Sequence, residues 1–318
     1  MSTALLGILL LTGPVAQDTI LRPFTFREVH MGVAVRITLW APNDSGARAA
    51  ATAGFREIAR LEEILSDWRP SSELRRLESG GTEWQPTSPE LAELLATALL
   101  VARASDGAFD PTIGPLTRLW RAARHAGTPP DAHTVAAARQ RVGFNHLEVD
   151  TQRHLVRLRR AGMQLDLGGI AKGYILQRAL AVLREHGAPQ SLVEGGGDLV
   201  VGDAPPGKAG WSIATPLADA TMGALAGTLT NAALATSGPT EQQMLVDGHR
   251  ESHIVDPSTG HGTRAPHVAT VIGSDAALAD AVATALTVLT PEEGRRVLAR
   301  FGLRGSLHDT SRVSPTRL

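Results

Sequence analysis

Apolar residues in this chain fall into alternating runs and into longer runs at helical spacing, and the two kinds interleave without a fixed order. Over residues 24–41, Val33, Val35, Ile37 and Leu39 alternate with Ala34, Arg36, Thr38 and Trp40. That period of two predicts one half-buried strand. A helical pattern follows from about Ala47 to Leu65. Ser88-Pro89 supplies a cap and a first-turn proline for a helix that runs to Ser105 and is closed by Gly107. Gly127–Pro130 reads as a loop, Val135–Arg141 as a short helix, and 146–150 and 154–158 as strands. An amphipathic helix is predicted over 170–186, closed by Gly187. Strand-like Ser191–Val193 and Asp198–Val201 flank Gly195-Gly196-Gly197, and Val268–Ile272 leads to a helix over about 275–289. After Gly302 the chain reads as strand and tail. Strands and helices without strict alternation predict an α+β or irregular α/β fold rather than a doubly wound sheet.

Composition narrows the possible functions. The formal net charge is -1 and aromatics are 4% of the chain, so neither a basic surface nor a stacking platform for nucleic acid is expected. The absence of cysteine excludes disulfides, Cys-ligated zinc, a thiol nucleophile and a lipid anchor on an N-terminal cysteine. Residues 4–12 are a short apolar run, followed by Pro14-Val15-Ala16 as a small-residue cleavage site. Residues 1–16 therefore read as a secretory signal peptide, although no Lys or Arg precedes the run, and 17–318 as a single domain. The expected location is exported, in the periplasm or outside the cell envelope.

Two segments suggest a site. In Asp166-Leu167-Gly168-Gly169-Ile170-Ala171-Lys172-Gly173, glycines at a helix start admit a ligand to free N–H groups, where the helix dipole favours phosphate. The bland account is an Asp-capped helix with a solvated lysine. In Ala279–Ala285, Asp280 and Thr284 share a helix face opposite the stripe of Leu278, Val282, Leu286 and Leu289. Two hard oxygen donors side by side suit Mg²⁺. The bland account is a solvated face whose threonine bonds back to the preceding turn. His253, three residues before Asp256-Pro257, is a candidate general base or an ordinary turn residue. His249, His261 and His267 have spacings that match no zinc pattern.

Taken together, seven segments in order resemble the ApbE family, the FAD:protein FMN transferases. They are Met31-Gly32, Gly107–Thr112 with Gly114-Pro115-Leu116, Asp166–Gly173, the Gly-Gly-Asp ending at Asp198, Ala235–Gly238, His253–Gly260, and Ala279–Ala285. The resemblance runs from about Phe26 to Leu307. It implies FAD in a cleft between two lobes, lined by Met31, Trp68, Ala108, Phe109, Asp110, Asp166, Lys172 and Ile254. It implies Mg²⁺ held by Gly169 through its carbonyl, by Asp280 and Thr284, and by Ala283 through a further carbonyl. The implied reaction moves FMN to a threonine of a redox subunit in a membrane electron-transport complex and releases AMP. One departure is Val193-Glu194-Gly195, where relatives commonly carry Asn. Two alternatives share these residues: a Mg²⁺-dependent FAD pyrophosphatase releasing FMN and AMP, and an exported flavin-binding protein without catalysis.

Overall fold

The computed structural model of the protein describes residues 20–213, 227–238, 243–246, 248–264 and 267–309. The export segment read at residues 1–16 lies outside them.

The alternating stretch that reads as one strand is two. β1 (Arg22–His30) and β2 (Val33–Ala41) pair antiparallel from Arg22↔Ala41 to His30↔Val33. Between them Met31 and Gly32 have φ of 53° and 72°. A two-residue turn needs this left-handed pair so that its twist matches the strands. Alternation continues through such a turn, so the pattern alone does not reveal the break. Val35, Ile37 and Leu39 are fully buried, as the period of two requires.

In chain order there follow α1 (Asp44–Leu65), α2 (Glu73–Ser79), β3 (Gln85–Pro86), α3 (Pro89–Ala104), α4 (Gly114–Ala126), α5 (Ala132–Arg139), β4 (Leu147–Asp150) and β5 (Leu155–Leu158). Then come α6 (Ala171–Glu185), β6 (Ser191–Gly195), β7 (Asp198–Val201), β8 (Trp211–Ile213), β9 (Gly227–Leu229), β10 (Ala232–Ser237), β11 (Gln243–Val246) and β12 (His249–Ser252). The chain closes with β13 (His267–Gly273), α7 (Ala276–Leu286), α8 (Pro291–Phe301) and β14 (Arg304–Asp309). Ser88 caps α3 by accepting the Leu91 N–H, as its sequence predicts. Helices α2, α4 and α8 go beyond the reading above. For α8 a local signal exists, a capping box between Thr290 and Glu293.

The main sheet has the order β1-β2-β6-β7-β10-β13-β14 and is antiparallel at every pairing. This is an α+β architecture. Alternate residues of the central strands face different cores. Val193, Val200, Ala233 and Val271 join the large cluster under α1, α3, α6 and α7. Leu192, Val201, Leu234 and Ile272 turn to a smaller cluster with Leu229, Trp211 and Ile213. A third cluster joins α4 and α5 to Val246 and Val255 through Leu116, Trp120, Val135 and Ala138. Helix α7 is buried nearly all round, so its apolar stripe is only part of what it hides.

Candidate active site

Helix α6 begins at Ala171, with Ile170 as an N-cap that makes no side-chain bond. Asp166 supports the turn before it instead, where its Oδ1 accepts the Gly168 N–H at 2.8 Å. The Asp-capped helix considered above does not form. The first turn of α6 is also not wholly open to a ligand, because Gly173 donates its N–H to Asp280 Oδ2 at 3.1 Å.

The solvated-face account of α7 fails as well: Asp280 has no exposed surface. Its Oδ1 lies 3.4 Å from Lys172 Nζ. The same ammonium sits 2.9 Å from Asp198 Oδ2 and 3.5 Å from the Gly168 carbonyl oxygen. Asp198 is 3% exposed, and its Oδ1 accepts the Thr236 N–H of β10 at 3.0 Å. One ammonium thus faces two buried carboxylates, and when both are ionised the three groups together carry an excess negative charge where water screens it poorly. Burial pushes the Asp280 carboxyl up to about 7, with Lys172 pulling down and the like charge of Asp198 adding to the rise. Burial works against the Lys172 charge, but Asp280 and Asp198 outweigh it and hold the ammonium protonated well beyond the ordinary lysine range.

Thr284 follows Asp280 by four residues on the same helix face, and its Oγ1 is 3.1 Å from Ser237 Oγ. Gly169 lies directly against it: a Cβ at that position would stand 2.8 Å from Thr284 Oγ1. The implied metal ligands Gly169, Asp280 and Thr284 therefore meet in one place. Ala283 is fully buried and its methyl belongs to the core, so only its backbone remains to serve a ligand. No group of three or more His, Cys, Asp or Glu able to hold a metal occurs among the described residues. The donors here are one carboxylate, one hydroxyl and backbone oxygen beside uncompensated negative charge. Mg²⁺ accepts that sparse hard set because it keeps water or phosphate oxygens for its other positions. The residues fit the ion.

Of the residues implied for the flavin, Asp166 and Lys172 both contact the Gly168-Gly169 turn of this cradle. Asp166 donates its N–H to the Pro111 carbonyl at 2.9 Å, which joins its segment to that of Asp110. Asp67 has its carboxyl raised by burial and then by the nearby charge of Asp166, against the pull of Arg121. Arg121 bonds Asp67 at 2.9 Å and stacks over the Trp68 ring at 3.6 Å, so a 65% exposed indole is held in a fixed place. Met31 sits in the β1–β2 turn rather than on a strand, and its N–H donates to Glu62 at 2.6 Å.

Phe109 and Asp110 are turned inward. Phe109 packs in the large core. Both Asp110 oxygens are engaged within the protein: Oδ1 by the Thr112 N–H and hydroxyl at 2.7 and 2.6 Å, Oδ2 by the Phe144 N–H at 3.0 Å. Burial raises this carboxyl and the three donors oppose the rise. Its side chain is a latch for the 110–112 turn, so of this segment only half-exposed Ala108 and the backbone face outward.

His253 and Ile254 follow β12 and are half-buried. Ile254 is held at both ends, by the Ser252 hydroxyl at 3.0 Å and the Thr263 N–H at 2.8 Å. Trp120 Nε1 donates to the Gly260 carbonyl at 2.7 Å and ties this loop to α4. The loop and the far end of α7 enclose a pocket lined by Asp256, His261, Arg264, Thr287 and Val288 among others. Neither His253 nor Ile254 lines it. The sequence reading carried Asp198 and Ser237 only as members of motif segments, with no role for either side chain, and gave none to Glu62, Asp67 or Arg121. Asp198 had a local signal, a charge opening the otherwise apolar strand Asp-Leu-Val-Val.

Residues 31–306 match the model of the ApbE family. A relative in sequence is the FAD:protein FMN transferase of Chlamydia muridarum, 31% identical over 274 residues that span 84% of this chain and 85% of that protein. Among solved structures, the apo form of flavinyl transferase ApbE from Pseudomonas stutzeri superposes with a TM-score of 0.77 at 27% identity, covering 91% of this chain and 92% of that one. The ApbE protein of Thermotoga maritima does so with a TM-score of 0.75 at 29% identity, covering 91% and 97%.

Proposed function

The chain belongs to the ApbE family and is an enzyme that transfers FMN from FAD to a protein, and we propose that it does so with Mg²⁺, delivers FMN to a threonine hydroxyl and releases AMP. The observation that carries the metal part is the buried group of Asp280, Lys172 and Asp198, one positive charge short of balance once both carboxylates are ionised, beside the Thr284 hydroxyl and the Gly169 backbone.

In this reading Asp280, Thr284 and the backbone of Gly169 and Ala283 hold Mg²⁺. When bound, the ion withdraws charge from a pyrophosphate and fixes its orientation. The chain's own groups do the rest. The N-terminal turn of α6 and the Lys172 ammonium attract the pyrophosphate. Met31 and Trp68 cover the flavin ring system, and Asp166 and Ile254 border the nucleotide. A threonine oxygen bonds to the FMN phosphorus as the bond from that phosphorus to the AMP oxygen breaks. The threonine proton passes to His253, and AMP leaves with the bond electrons. Phosphoryl transfer leaves little covalent work for the protein, so positioning and charge stabilisation dominate.

The acceptor in this proposal is a redox subunit of a membrane electron-transport complex, met outside the cytoplasm after cleavage behind Ala16. N-terminal sequencing of the secreted protein checks the cleavage. The central test incubates the protein with FAD, Mg²⁺ and a threonine-bearing acceptor and reads flavin fluorescence in a denaturing gel. A fluorescent acceptor band that is lost in Asp280→Ala supports the proposal. Release of free FMN with no labelled acceptor would instead make the chain an FAD pyrophosphatase. For His253→Ala, transfer at an unchanged rate across pH 6–8 removes that residue as the base.

A further inference from the structure

The chain contains 31 lysines and arginines, yet only Lys172 and Lys208 are lysines. A chain that uses arginine almost everywhere places a compact ammonium between two buried carboxylates, where a planar guanidinium has different demands. Each carboxylate is pinned on its far side by a backbone N–H: Asp198 by Thr236 at 3.0 Å, Asp280 by Gly173 at 3.1 Å. The movable member is the Lys172 side chain. It lies nearer Asp198, at 2.9 Å, than Asp280, at 3.4 Å, or the Gly168 carbonyl, at 3.5 Å.

We propose that Asp198 is a positioning residue that draws the Lys172 ammonium toward itself, so that its bond to Asp280 Oδ1 stays long, at 3.4 Å, and that oxygen can be given up to the metal. The inference rests on the reading of Asp280 as a metal ligand. An ammonium and a Mg²⁺ ion compete for the same carboxylate oxygen. With Asp198 charged, the ammonium has a second partner in a place of low polarity and does not close on the first. With that charge removed, Lys172 and Asp280 form a one-to-one buried pair, and a metal must break it to enter.

The test is Mg²⁺ binding to the full chain without FAD, by isothermal titration, with melting curves as a check on folding. Asp198→Asn keeps an oxygen for the Thr236 N–H and removes only the charge. It is expected to weaken Mg²⁺ binding by about tenfold or more, the scale on which partners of metal ligands act. The double variant Asp198→Asn with Lys172→Met is expected to bind Mg²⁺ nearly as tightly as the unaltered chain, because no ammonium remains to occupy Asp280. Binding within twofold in Asp198→Asn, or no recovery in the double variant, overturns the proposal. If Asp198→Asn does not fold, Lys172→Met decides: affinity at least equal to the unaltered chain supports the competition, and weaker affinity refutes it. Asp280→Asn separates the two readings. If it leaves Mg²⁺ binding intact, the metal site itself is wrong. If it abolishes binding while Asp198→Asn has no effect, only the role of Asp198 falls.

Discussion

Gly173 on α6 donates its backbone N–H to Asp280 Oδ2 on α7, and it reaches that oxygen because it has no side chain. A Cβ at position 173 would lie 2.0 Å from the Ala276 carbonyl oxygen and 3.1 Å from Asp280 Cβ. The two helices cross backbone against backbone at this point, which brings the buried carboxylate to the first turn of α6. Gly173→Ala must force the helices apart. Overpacking and a lost bond to a charged group together are expected to cost about 3 kcal/mol. Thermal unfolding measures this, and Mg²⁺ titration of the folded fraction should show weakened binding. A variant with unaltered melting would mean that the crossing relaxes without cost.

The contribution of Asp280 to the stability of the metal-free protein should fall as pH rises from about 4 to about 7. The Asp280 carboxyl is pushed up to about 7 by burial in the folded chain, against an ordinary value of 3.8. Between those values the folded state keeps a proton that the unfolded state releases, so this contribution is complete below the lower value and gone above the upper one. Asp280→Asn is uncharged at every pH. It should melt a few degrees above the metal-free unaltered protein at pH 8, with the difference shrinking toward pH 4. A difference that does not vary with pH would place Asp280 among ordinary solvated carboxylates.

Glu62 holds the left-handed Met31 turn from below. Its Oε1 accepts the Met31 N–H at 2.6 Å, and its Oε2 lies 2.9 Å from Nδ1 of His30, which stacks on Phe55. Glu62→Ala leaves that N–H without this acceptor and should destabilise the chain by about 1–3 kcal/mol. If Met31 covers the flavin, KM for FAD rises several-fold while kcat changes less. Steady-state FAD titration beside a melting curve distinguishes a displaced turn from a merely weaker fold.

Trp68 gives the complementary case. It is 65% exposed and is stacked on the Arg121 guanidinium, a contact worth about 0.5–1 kcal/mol at such a site. Trp68→Ala should scarcely move the melting temperature yet raise KM for FAD. An unaltered KM would remove the indole from the flavin subsite.

Much of this was legible from local pattern. Ser88-Pro89 announced α3, Gly187 closed α6, and the four-residue spacing of Asp280 and Thr284 placed both oxygens on one helix face. The break at Met31-Gly32 escaped because a two-residue turn preserves alternation. The second anchor of the Asp110 latch, the Phe144 N–H, escaped because it lies 34 residues away.

The sequence by itself determined the type of most elements and the order of motifs that marks the family, because caps, periods and motifs are properties of neighbouring residues. It did not determine which charges meet. Lys172 and Asp280 are 108 residues apart, and Asp198 comes from a strand between them. Only the crossing of α6 and α7 over the ends of β7 and β10 brings two carboxylates to one ammonium. Burial there makes that unequal count consequential, since in water the same three charges would be screened and nearly independent.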